Sequence, residues 1–361
     1  MSTLRSGLAS QLTSPVTEVT YGVSPTLTGT KFSAFKSETL ELKKTTAQGI
    51  GLFAGKLYPQ AARRVITEWS AGGGIPMDLP ARGLQQWLFP MFGSYGQAKS
   101  ALTQDLSTGA YSAVHAPGAL EGNSFALQKG VPTADNGTVE PVTYVGCKVS
   151  EWEISAKRAE IAQLQLTIEA RNELAGAMNA DPLNVSLPGL VAYAAPATGG
   201  VFTFLQGTVY TGGTVSTTSG VTTVATPVIA GNVREFSVKH TVPMDIERFF
   251  GNGGGFKAEP LQNGLRSITG SLTIEWLSSI QRYNAFAADT PTPLQLTFLG
   301  PAIGSGSDFS TLSILVPDIF LDGESPKVAG EAVVQQTIPF TGLDDGVNNV
   351  IQATYWTLDT T

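Results

Sequence analysis

The stretch LRSITGSLTIEWLSS, residues 265–279, alternates almost without fault. Ile268, Leu272, Ile274 and Trp276 fall on one side of an extended chain. Ser267, Thr269, Ser271, Thr273 and Glu275 fall on the other. Successive side chains leave a pleated backbone on opposite faces, so this spacing predicts a half-buried strand. Burying each apolar residue contributes roughly 1.5–3 kcal/mol. The opposite face carries small hydroxyls and one carboxylate, a set with no evident catalytic use. RRVITEW, residues 63–69, reads as an echo of the same strand.

The rest of the chain follows this lead. It has 361 residues, enough for two domains or one large β domain. Apolar residues make up 42%, which supports a real core and excludes wholesale disorder. Charged residues are only 14%, against 40 Gly and 21 Pro, which suits short strands joined by turns. A net charge of −7 argues against adhesion to nucleic-acid phosphates as the main activity, and against a membrane-surface role. The N-terminus shows no apolar secretory segment, and no run approaches bilayer-spanning length. The single cysteine, Cys147, has no partner for an intrachain disulfide, so packing or association must supply the stability. Asn136 and Asn184 fit the glycosylation sequon, but without a secretory signal they read as loop asparagines.

Alternating stretches occur at 39–44, 63–69, 110–116, 124–129, 144–155 and 162–170. After a break they recur at 201–210, 233–241, 266–276, 293–300, 312–321, 333–342 and 351–358. Two helices interrupt them. In the first, Asp78 is an expected N-cap with Pro80 in the first turn. Leu84, Trp87, Leu88 and Met91 form its stripe, Pro90 ends it near Phe89, and Gly93 stops the run. The second spans about 278–288, with Ile280, Tyr283, Phe286 and Ala287 as its stripe, and Trp276 and Leu272 packing on it.

In order, these elements repeat. From 39 the sequence runs strand, strand, helix and four strands to about 170, and from 233 it does so again to about 358. TLELKKT (39–45) parallels EFSVKHT (235–241), matching Leu40 to Phe236, Leu42 to Val238 and Lys43 to Lys239. Arg64-Val-Ile-Thr parallels Arg266-Ser-Ile-Thr, KVSEWEIS (148–155) parallels LVPDIFLD (315–322), and QLQLTI (163–168) parallels VVQQTI (333–338). General likeness among amphipathic strands is the alternative, and a competing self-match, VSEWEI…LTIEA with VREFSV…LTIEW, shows how permissive such matching is. The expected organisation is an arm at 1–35, a first unit at 36–175, a connector with an extra hairpin at 176–232, and a second unit at 233–361.

Motifs for chemistry fail on their own terms. GIGLFA (49–54) resembles a loose dinucleotide fingerprint, but a strand pattern follows where a βαβ unit is required. Lys56 follows Gly55 without P-loop spacing. AGGGIP (71–76) and GNGGGF (251–256) read as turn or loop glycines. His115 and His240 are far apart and lack metal-spaced partners, so neither a triad nor a zinc site is expected. Cys147 lies in an alternating strand and reads as a buried small side chain. Asp344-Asp345 sit in one turn, where adjacent carboxylates do not make an acid/base pair.

The ordered series resembles one family, the tail tube or major tail proteins of long-tailed bacteriophages. TYGVSPTLTGTKFSAFKSETLELKK resembles its arm and first strand. SAVHAPGALEGNSFALQKG resembles its Pro-Gly hairpin, and YVGCKVSEWEIS its Gly-Cys-Lys-Val strand. VREFSVKHTVPMDIERFFGNGGG…GLRSITGSLTIEW resembles its second half. The Thr/Gly-rich segment at 211–230 departs from the pattern.

The resemblance implies a mainly β, tail-tube sandwich or partial-barrel fold with flanking helices, here in two tandem copies. It implies a structural virion protein without catalysis or cofactor, stacked in rings as a hollow tube for DNA delivery into the host. With two units per chain, three chains make a ring of pseudo-sixfold symmetry; otherwise six are expected. Implied partners are further copies, the tape measure, tail terminator and distal tail proteins, with DNA as a transient passenger and no membrane. The length and arm favour a non-contractile tail over a contractile tail, a tailocin or a secretion-system tube. A secreted β-sandwich binding module for carbohydrate is the rival from another class. Ring stacking is expected through the insertions at 46–60 and 242–262, with Arg248, Phe249 and Phe250 as candidate contacts. Ser267, Thr269, Ser271, Thr273 and Glu275 are the candidate lumen face.

Overall fold

The computed structural model describes residues 6–27, 31–94, 96–134, 139–175, 200–275, 286–303, 308–323, 328, 331 and 333–360. In chain order the elements are β1 (Gln11–Leu12), β2 (Val16–Thr17), β3 (Glu41–Gln48), β4 (Arg64–Asp78) and α1 (Gln85–Phe92). Then come β5 (Thr103–Gln104), β6 (Tyr111–His115), β7 (Phe125–Pro132), β8 (Val139–Lys157), β9 (Gln163–Ala170) and β10 (Asn172–Ala175). β11 (Gly207–Thr211), β12 (Thr214–Thr218), β13 (Val221–Ala225) and β14 (Val228–Ile229) follow. β15 (Val233–Thr241), β16 (Met244–Asp245), β17 (Leu261–Gln262) and β18 (Ser267–Glu275) lead to the last strands. These are β19 (Thr292–Ala302), β20 (Phe309–Leu321), β21 (Gln335–Gly342) and β22 (Gln352–Thr357). The fold is mainly β, as the alternation predicts.

Eight antiparallel strands make one wall. β3 pairs with β4, β4 with β9, and β9 with the C-terminal half of β8. That half of β8 then pairs with β15, β15 with β18, β18 with β21, and β21 with the end of β20. Two long strands, β8 and β20, leave the wall at their N-terminal halves. There β8 pairs with β7 and β10, and β20 with β19 and β22. β1 and β2, from the arm, cover the edge of β7, and β11 covers that of β19. β22 also pairs with β6.

The core lies behind the wall. Phe202, Phe236 and Phe298 meet at ring separations of 5.5–5.6 Å. α1 packs on β8, where the buried Trp152 indole donates to the Met91 carbonyl at 2.9 Å.

Several local expectations need correction. α1 begins at Gln85, and Asp78 ends β4 instead of capping the helix; its carboxylate binds Lys36 and Gln163. Pro90 lies inside α1, which continues to Phe92. Burial of Trp87, Leu88, Met91 and Phe92 outweighs the one backbone bond that proline forfeits. The AGGGIP glycines are in strand β4, not in a turn. A Cβ on Gly73, at φ +157°, would stand 2.3 Å from the Thr39 carbonyl oxygen. Glycine permits that close backbone approach. RRVITEW does not sit half-buried: Val65 and Ile66 are exposed on a hairpin that projects beyond the wall. Residues 204–206 of the expected 201–210 strand form a 3-10 turn, capped by Thr203 and Gln206. Residues 214–225 form a hairpin, β12–β13. Trp276 and most of the second expected helix lie outside the described residues.

Candidate assembly and channel surfaces

β18 splits by side as its alternation requires. Ile268, Leu272 and Ile274 are buried, while Ser267 and Thr269 are exposed and Ser271, Thr273 and Glu275 half-exposed. Antiparallel register carries this polar face across the neighbouring strands. Ser271 lies opposite Ser237, which lies opposite Ser155; on the other side Thr273 lies opposite Thr337. Hydroxyl contacts join Ser237 to Ser271 at 3.3 Å and Thr273 to Thr337 at 3.0 Å.

The charges on this face are mostly acidic. Lys239 pairs with Glu151 at 2.8 Å. Arg234 binds Glu275 and, by hydrogen bonding, holds its carboxyl below the usual range. Glu153, opposite Lys239, and Glu235, opposite Thr273, have no salt bridge among the described residues.

The wall has two ends. At the end where β4 begins and β15 finishes, two long loops emerge, 49–63 and 242–266. In the second, Arg248 donates to the Glu259 carbonyl and lies 5.6 Å from the Phe250 ring centre. Phe249 is half-buried and bridges to Lys257, whereas Phe250 is 54% exposed. The three residues therefore share a loop but not an environment.

That loop is fastened at its base by two buried lysines that the sequence reading missed. Lys257 meets Glu169 at 2.9 Å. Lys148 meets Glu259 at 2.6 Å and also donates to the Leu120 carbonyl. Glu259 accepts from the Gly122 amide as well, at 2.6 Å. The Phe256 ring stacks on Trp69 at 6.2 Å, and the Trp69 amide donates to Gly255. Lys148 lies in a run of seven consecutive buried residues, 143–149, which hid it from a period-two reading. The first loop differs: Ile50, Leu52, Leu57 and Tyr58 stand 81–103% exposed.

The titratable groups off these surfaces serve packing. His115 Nε2 donates to Gln85 Oε1 at 3.0 Å, so its Nδ1 accepts from the Ser94 hydroxyl at 2.6 Å. Burial lowers its pKa to about 3. Burial likewise pushes the Cys147 thiol well up, which disfavours the nucleophilic thiolate. No metal-binding group of three His, Cys, Asp or Glu occurs among the described residues. Nor is any helix there long and apolar enough to cross a membrane.

A broad hydroxyl-and-carboxylate sheet face, an outermost strand paired on one side among the described residues, and exposed apolar loops are features of a structural assembly subunit. The profile of one family, described as phage tail tube protein, matches residues 15–342. The chain belongs to that family, and is a structural tail tube protein of the virion. No curated protein sequence matches it.

Proposed function

We propose that copies of this chain close side by side into rings, and that the rings stack into a tube for the phage genome. The observation that carries the reading is the eight-strand wall with one polar face and an edge strand, β3, that pairs on one side among the described residues. Strands sit about 4.8 Å apart and tilt by about 40° in closed barrels. Three copies then close a barrel about 48 Å across its backbone, and two copies one of about 32 Å. Side chains take about 5 Å from each wall, leaving bores of about 38 and 22 Å. A DNA duplex of about 20 Å with its counterions passes the first with room and crowds the second. That bore favours three copies over two, and the length and arm favour a tail of the non-contractile kind.

Two units per chain underlie this count, with boundaries near 36–175 and 233–361. The pairing order β3–β4–β9–β8 recurs as β15–β18–β21–β20, which supports the duplication. In the proposed ring, Ser267, Thr269, Ser271, Thr273 and Glu275 line the bore. Phe250, at the exposed tip of its tethered loop beside Arg248 and Phe249, contacts the next ring. Tape measure, terminator and distal proteins would occupy the bore and the two tube ends. Native mass spectrometry of dissociated tubes, with image reconstruction, tests the reading. Trimeric rings with the β18 hydroxyls inward are expected; six chains per ring, or these hydroxyls facing outward, would overturn it.

A further inference from the structure

The Thr/Gly-rich segment that departs from the family pattern has an organised place in the fold. β11 and β14 pair as Thr211 with Val228, and β12 and β13 resume the same register at Thr214 with Ala225. Together they make one two-stranded ribbon, which turns where Gly212, Gly213 and Thr226 take φ of +77°, +104° and +52°. A Cβ on Gly213 would stand 2.6 Å from the Ala225 carbonyl oxygen, so the turn needs glycine. Beyond the turn the ribbon crosses from the flank of β19 to the start of β22. There the buried Gln352 side chain pairs with the Thr222 backbone as a strand would. Its Oε1 accepts from the amide at 2.8 Å, and its Nε2 donates to the carbonyl at 2.9 Å. The Thr217 hydroxyl donates to Asn348 at 2.8 Å, and the Asn349 side chain to the Gly220 carbonyl at 3.1 Å. Asp345 stiffens the same loop by accepting from the Val347 and Asn348 amides, bonds that hold its carboxyl below the usual range.

Loop 343–350 rises at the same end as the Phe250 loop. It leaves β21 at Gly342, opposite Ile268, which lies opposite His240 near the finish of β15. The ribbon and this loop cap a second sheet, β11–β19–β20–β22, which packs behind the wall through Phe298 on Phe236. With the β18 hydroxyls facing the bore, that sheet is the outer layer. Apolar groups stand at both of its ends among the described residues. Val347 and Leu343 are 79% and 51% exposed at the ribbon end; Leu299 and Phe309 are 47% and 38% exposed at the other, where β19 finishes and β20 begins. The exposed row of the ribbon is Thr214, Ser216, Thr218, Thr223 and Ala225, small and uncharged, so nothing bulky holds a flat neighbour away.

We infer that the ribbon and loop 343–350 form an outer abutment, which seats the far end of the second sheet of a copy in the next ring and limits bending of the tube. Stacking one surface on a different one is the contact that propagates without closing. Here it buries Val347 against Leu299 and Phe309, groups otherwise left in solvent. Bending a tube opens the gaps between rings on the outside of the curve and shuts them on the inside. The displacement grows with distance from the axis, so a contact of given stiffness resists bending as the square of its radius. The Phe250 loop, at the end of the wall, fastens the rings; the abutment at larger radius stiffens the stack. The inference rests on the tube reading.

Cys147 is the only cysteine and is buried, so an introduced thiol reports its own surroundings. Ser216→Cys, Val347→Cys and Leu299→Cys, made singly, should react with a maleimide in dissociated rings and at least about tenfold more slowly in tubes. Val347→Asp combined with Leu299→Asp, both at exposed positions, should leave circular dichroism and rings unchanged and still give tubes. Their persistence length in micrographs should be at least halved. Thiols that react equally fast in rings and tubes would overturn the inference, as would double-variant tubes as stiff as wild type. Double-variant rings that fail to stack would overturn it by making this contact the fastener. Loss of rings with unchanged circular dichroism would place the contact inside the ring, and overturn it too. Wild-type protein that forms neither rings nor tubes would instead sink the tube reading itself.

Discussion

At the scale of single residues, the costly groups are the two buried lysines. A lysine with a fully buried side chain stabilises only if its charge is answered, and Lys148 has one carboxylate and two carbonyls around it. Lys148→Ala leaves Glu259 without its counter-ion in a partly buried site. The expected loss is about 3 kcal/mol, at the low end for a broken buried pair because Glu259 is a quarter exposed. Urea denaturation measures it, and a loss under about 1 kcal/mol would mean that solvent already serves Glu259. The histidines give a pH signature. Burial lowers His115 to about 3 and His240 to about 4, from 6.5 in an unfolded chain. Below pH 6.5 the unfolded chain binds more protons, so stability falls as pH drops from 6.5 toward those values. Replacing each histidine by Gln should shrink the difference in urea midpoint between pH 7 and pH 4.5. An undiminished difference would assign the acid sensitivity to other groups. None of these roles was legible in the sequence, because burial of a lone polar side chain depends on which distant segment covers it.

At the scale of elements, legibility followed periodicity. β18, β15, β9, β21 and the wall half of β8 alternate cleanly, one face on the core and one in solvent, and their positions could be read directly. β4 could not be read whole, since its three glycines resemble a turn until Thr39 is seen pressed against them. β1 and β2 escaped notice because two-residue strands carry no period. The projecting part of β4 misled in the opposite way, since RRVITEW alternates without being half-buried. Gly73→Ala tests the close approach: it adds a Cβ at 2.3 Å from the Thr39 oxygen, at a φ that side chains rarely adopt. A cost of about 2–4 kcal/mol is expected, read as a lower urea midpoint. A neutral substitution would show that the 36–40 segment moves aside freely. Phe250→Ser should leave both fold and rings intact and abolish stacking, as counted in micrographs. Tubes of normal length from that variant would move the axial contact elsewhere.

At the scale of the whole molecule, the candidate channel face was legible as chemistry but not as an extended surface. The sequence displayed hydroxyls on β18; the register showed that Ser155, Ser237 and Thr337 continue them onto neighbouring strands. A polyanion sliding past such a face meets groups able to bind water, with carboxylates that repel phosphate. The repulsion is tunable at Glu153 and Glu235, which point from adjacent strands without salt bridges among the described residues. Converting both to Lys changes the face by four charge units per chain, repeated around every proposed ring. Assembled variant tubes should then retain duplex DNA that wild-type tubes release. Retention should weaken steeply with salt, since each phosphate neutralised contributes about −0.9 to the slope of log K against log salt. The same two substitutions on an outward face would also bind DNA, but on the tube exterior, where nuclease removes it. Nuclease-protected DNA in the variant tubes is the expected result. DNA that remains wholly digestible would place the hydroxyl face outside the tube.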